Sequence, residues 1–162
     1  MDMIDFLNQL EQTRFASAVA ESTWLFPFFE TVHVFTLSLV LGSVALVDMR
    51  LLGLAGRHRP VTEISNTVLP WTWAAFTVTA LCGLVLFSSK ATTYYVNLPF
   101  RIKMAALAFA GINMIVFHGV TARDVTSWDM GVPPVRARVA GAVSVCLWVV
   151  IAFAGRWIGF TR

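Results

Sequence analysis

Two histidines, His33 and His118, each sit inside a long stretch of apolar residues. An imidazole in such a stretch is costly to place in hydrocarbon and ordinarily faces a bundle interior, so each is a candidate functional group. Imidazoles on two different helices, with few other ligand side chains nearby, are the pattern of paired axial ligands to one haem iron. His33 and His118 are therefore read as candidate metal ligands. Haem b is the expected cofactor, and electron transfer within the membrane the expected activity. The competing use is a helix-to-helix hydrogen bond that satisfies each imidazole without a cofactor.

Other residues could complete such a site. Glu30 precedes His33 by one helical turn and shares its face, where it would orient the ring or carry a proton. A Glu-x-x-His motif also belongs to carboxylate-bridged di-iron sites. Those need a second motif and further glutamates, and Glu11, Glu21 and Glu63 all lie outside the apolar stretches. Gly111 is on the His118 face and, with Ala108, lets a flat ring or a neighbouring helix approach closely. Arg50, Arg101 and Lys103 fall at interface depth and are candidates to hold a cofactor's carboxylates. Asp48-Met49-Arg50 is expected to form a local or interhelical ion pair, and Asn113 to bond a neighbouring helix. Cys82 and Cys146 read as small apolar core residues. His58, between Arg57 and Arg59, reads as part of a solvated loop. No converging set for zinc or copper, no nucleophile–base pair and no phosphate or dinucleotide loop is present.

Depth tests the pairing. His33 lies about 14 Å past Trp24 along its helix, and His118 about 21 Å past Met104 on a helix running the same way. Tilt or vertical offset must remove a mismatch of roughly 7 Å.

The elements that position these residues follow from composition. Of 162 residues, 57% are hydrophobic and 13% charged, about half the charge of a soluble domain. The apolar blocks at 24–47, 68–88, 104–120 and 139–155 each meet or approach the ~20 residues that cross a ~30 Å hydrocarbon layer. The expected fold is all-α, a four-transmembrane-helix bundle over 24–162. Residues 1–23 start acidic, which argues against a cleavable signal peptide. Met3, Phe6, Leu7, Leu10 and Phe15 recur at helical spacing and predict a short amphipathic interfacial helix. Pro70 is placed near the start of the second span, so no span is expected to be broken in the manner of a transporter.

The net charge of +3 comes without a basic stripe, so nucleic acid is not an expected partner. The 12 Lys and Arg residues divide evenly. Arg14, Lys90, Arg101, Lys103, Arg156 and Arg162 lie on the side of the termini, the others on the opposite side. Arg50, Arg57 and Arg59 flank the first span and favour a cytoplasmic location for their side, with both termini outside.

Phe29-Glu30-Thr31-Val32-His33, followed by Gly42 and Asp48-Met49-Arg50-Leu51-Leu52-Gly53, resembles a family of short bacterial four-span membrane proteins of unknown function. Phe100-Arg101-Ile102-Lys103 and Asn113…Phe117-His118 look like its second signature. The resemblance implies a bacterial inner-membrane protein. A looser similarity, resting on His33 and His118, is to four-helix b-type cytochromes and membrane subunits of redox complexes. The expected partners are the lipid bilayer, a quinone or redox protein, and further copies or subunits. Two alternatives stay open: a cofactor-free accessory subunit, and a small proton-coupled transporter using Glu30 and His33.

Overall fold

Long uncharged runs in hydrocarbon must pair every backbone N–H and C=O internally, which dictates helices. The computed structural model describes residues 2–161; Met1 and Arg162, the latter counted above among the cations, lie outside the described residues. Four helices are long and apolar enough to cross a membrane. They are α3 (Leu25–Leu51), α4 (Val61–Ser89), α6 (Leu98–Val116, continuing in tighter and looser turns to Ser127) and α7 (Val135–Trp157). Shorter helices α1 (Met3–Glu11), α2 (Arg14–Glu21) and α5 (Ala91–Val96) gather at the end near the termini.

The bundle is two helical hairpins, α3 on α4 and α6 on α7, joined along an α3–α7 seam. Gly141 makes that seam close: a Cβ there would lie 3.2 Å from Leu51 Cβ and 3.3 Å from the Asp48 carbonyl. α4 and α6 do not pack on each other along their length. Phe35, Leu46, Leu84, Phe109 and Phe153 are exposed, so the outer surface is one that lipid must cover.

Three expectations need correction. The N-terminal segment forms two helices, because Thr13 interrupts α1 and caps α2 by accepting from the Ala16 amide at 3.3 Å. Both pack on the bundle, α1 on α4 and α5 and α2 on α3 and α4. Glu11 Oε1 accepts the amide and hydroxyl of Thr92, each at 2.7 Å. Second, α4 starts at Val61, which puts Pro70 inside it. Third, the third span is broken: its α-helix ends at Val116, and a π turn (Phe117–Thr121) and a 3-10 turn (Ala122–Ser127) follow. His118 sits in that π turn.

Asn97 Nδ2 donates to the Thr161 carbonyl and hydroxyl, both at 3.0 Å, so the chain's two ends share the face where α3 and α6 begin. At the opposite face Arg50, only 1% exposed, fastens two loops. Its Nε donates to the Arg59 carbonyl at 2.9 Å and its Nη2 to the Asp129 carbonyl at 2.8 Å. Asp129 accepts from the Thr62 amide at 2.9 Å and its hydroxyl at 2.5 Å.

Candidate functional site

His33 is held from two sides. Its Nδ1 lies 2.8 Å from the Thr79 carbonyl of α4. A carbonyl only accepts, so Nδ1 carries the proton and Nε2 keeps the lone pair. That lone pair faces Lys103 Nζ of α6 at 3.4 Å. The nitrogen a metal would need is occupied by an ammonium. Gly83 backs the ring so closely that a Cβ would come within 3.1 Å of His33 Cε1. Thr79 Oγ1 also donates to Thr36 Oγ1 at 2.7 Å. This end of the α3–α4 interface is polar, satisfied and filled.

Glu30 is exposed and is not among the partners of His33. It lies near Tyr94, whose phenol is pushed above its ordinary range first by burial and then by the Glu30 carboxylate. Arg101 is exposed. Lys103, expected at the interface, is half-buried between His33 and Gly155.

His118 is elsewhere. Lys103 is level with His33, and His118 follows it by about 20 Å of helix. Two imidazoles on opposite sides of one metal stand ~4 Å apart, given His–metal bonds of about 2 Å. The structure therefore does not bring His33 and His118 together on one haem iron. The expected mismatch is larger than the apolar blocks implied because α6 begins at Leu98, so Lys103 is already inside the bundle. Among the described residues no three His, Cys, Asp or Glu side chains converge as a metal site. Arg50, expected as a carboxylate holder, is engaged with backbone carbonyls.

His118 instead borders a cavity of about 340 Å³ lined by all four long helices, in the gap between α4 and α6. Val40, Val44, Leu69, Phe76, Leu107 and Trp148 are among its apolar wall. Gly111 lines it too, and a Cβ there would meet nothing within 4 Å. The close approach of a ring or helix expected at Gly111 is not made; the position opens onto the cavity instead.

Asp48, too, is placed otherwise than its sequence position suggests. It lines the cavity, is 5% exposed, and its Oδ2 has no hydrogen-bond partner among the described residues. Its expected pairing with Arg50 fails for a reason visible in the spacing. Residues two apart on a helix point to opposite faces, so Asp48 turns inward while Arg50 turns to the loops. The Ser144 hydroxyl of α7 is placed to donate to the Asp48 carboxyl, and it is Oδ2 that stays without a partner. Asn113 Nδ2 donates to the Ala140 carbonyl at 3.0 Å, the interhelical bond expected of it, which leaves Oδ1 to accept. His118 Nδ1 meets the Met114 carbonyl at 2.9 Å, leaving Nε2 as a lone pair. Asp48, Asn113 and His118 thus bring unused acceptors to the cavity.

A family model matches residues 16–161. The chain belongs to DUF6644, a family of unknown function. No curated protein and no solved structure matches it. The matched region contains every residue that lines the cavity, so this site lies wholly within the family's domain.

Proposed function

We propose that the chain binds a lipid-soluble small molecule bearing hydrogen-bond donors, such as a hydroxyl or an amine. The ligand comes from the bilayer into the gap between α4 and α6, with Asp48 as its polar anchor. One observation carries this reading: a buried carboxyl oxygen without a partner in an apolar cavity. Such an oxygen costs stability unless a ligand or ordered water satisfies it. Apolar walls with a few convergent polar groups are the usual build of small-molecule sites. The π turn at His118 adds support, since such turns break helices at functional sites and can repack. We place the protein in a bacterial inner membrane with the arginine-bearing loops cytoplasmic, which opposite behaviour of reporter fusions at Arg59 and Tyr94 would test.

Trp73 and Trp148 line the cavity, so their fluorescence reports occupancy. A brominated alkylphenol should quench it saturably, and the matching brominated alkylbenzene should bind at least about tenfold more weakly, the value of one good hydrogen bond. Asp48→Ala should erase that preference, and Asp48→Asn, which keeps an acceptor, should retain part of it. Equal quenching by both probes, or an unchanged preference in Asp48→Ala, would overturn the proposal. So would a stoichiometric b-type haem in a pyridine haemochrome assay that is lost in both His33→Ala and His118→Ala.

A further inference from the structure

The arginine-bearing end holds a second site. A cleft of about 410 Å³ lies between the loop after α3 and the segment that leads into α7. Arg50, Arg57 and Arg138 line it, and no carboxylate does. Burying a guanidinium as fully as Arg50 calls for compensation. Yet its hydrogen bonds go to carbonyls through Nε and Nη2. The nearby Asp129 carboxylate hydrogen-bonds Thr62 and meets Arg50 through its charge alone, without an ion-pair contact. Among the described residues the one ion pair is Arg136 with Asp124, so Arg50, Arg57 and Arg138 form none. Arg57 turns its Nε to the Gly53 carbonyl, leaving its terminal amines for the cleft. Arg138 sits in the first turn of α7, where the helix dipole adds partial positive charge.

We infer that this cleft binds the phosphate of an anionic phospholipid. Guanidinium groups match phosphate oxygens in planar, bidentate fashion. The cleft lies where α3 ends and α7 begins, at the depth of lipid headgroups. Its surroundings favour a lipid over a free anion: Leu54, Met130, Val132 and Val135 are exposed by 62–82% and give acyl chains an apolar bed beside the charges. This inference does not depend on the Asp48 cavity, whose walls share none of these arginines.

Native mass spectrometry of the full chain, released from detergent after incubation with phosphatidylglycerol or phosphatidylcholine, tests it. One phosphatidylglycerol per chain should be retained, with at least tenfold preference over phosphatidylcholine. Arg57→Gln with Arg138→Gln should abolish the preference, and the double lysine variant should keep a part of it. Both arginines are exposed, so these variants should fold; matched thermal unfolding midpoints check that. Equal retention of the two lipids, an undiminished preference in the glutamine variant, or displacement by millimolar inorganic phosphate would each overturn the lipid assignment.

Discussion

The two ends of the bundle carry the same kinds of side chain and treat them oppositely. At the terminal end His33 has a partner on each nitrogen and a glycine pressed against its ring. At the arginine end Asp48, Asn113 and His118 face open space with acceptor capacity unused. An ionisable residue inside a membrane helix is a functional candidate by default. What separates a structural polar contact from a binding site is whether the group's hydrogen-bonding capacity is already spent. By that measure His33 holds helices together, and Asp48 waits for a ligand.

The glycines should break or sharpen this contrast most strongly. Gly83→Ala would drive a methyl against a ring that Thr79 and Lys103 hold in place. Overpacking of this kind costs about 1–3 kcal/mol, of which helix propensity returns up to about 1 kcal/mol, so the net loss should reach about 2 kcal/mol. Gly111→Ala fills empty space and gains helix propensity, so it should be neutral or stabilising by up to about 1 kcal/mol. Unfolding midpoints in one detergent would compare the two. Equal losses would mean that the cavity is as tightly closed as the His33 contact.

The histidines come next. His33→Ala leaves the Thr79 carbonyl and Lys103 without a partner and should destabilise by about 2 kcal/mol. His118→Ala removes an exposed ring bonded within its own helix and should change stability by less than about 0.5 kcal/mol. A reversal of that order would make His118 the structural residue.

The four spans were legible because uncharged blocks of sufficient length have one stable solution in lipid. Their ends were not. Hydrophobicity starts at residue 68, but the helix starts at Val61; it starts at residue 104, but the helix starts at Leu98. Interfacial turns are amphiphilic and carry no sharp compositional edge. That error hid Lys103 inside the bundle and made the separation of the two histidines look smaller than it is. The bond from Asn113 to a neighbouring helix could be read from its face alone. The partnership of His33 with Lys103 joins residues far apart in sequence, and no local pattern encodes it. Asp48 was recoverable, since its two-residue spacing from Arg50 already argued against their pairing.

Asp48 itself sharpens the contrast with a sign. Replacing an unsatisfied buried carboxyl by a leucine of the same branched shape, whose larger methyls the cavity can take, removes a desolvation cost, so Asp48→Leu should stabilise the protein by about 1 kcal/mol while abolishing preferential binding of the alkylphenol. A gain in stability at the expense of binding is the mark of a functional site. If Asp48→Leu destabilised the protein as His33→Ala does, Asp48 would be a structural residue too.

The smallest effect concerns the other carboxyl at the same end. Burial alone would raise the Asp129 carboxyl. The hydroxyl and amide of Thr62, the Val61 amide and the Arg50 charge outweigh burial and hold it below the ordinary carboxylate range. A carboxyl whose folded value lies below its unfolded one binds more protons when unfolded. Its contribution is therefore complete above the ordinary carboxylate range and disappears as pH falls through the lowered folded value. Asp129→Asn should lower the unfolding midpoint modestly near neutral pH. That gap should close in acid, leaving the variant with a shallower acid limb. Asp48→Leu should act with the opposite sign at neutral pH. A gap for Asp129→Asn that stayed constant down to the acid limit would show that its charge contributes nothing, and that the loops rest on Arg50 and its carbonyls.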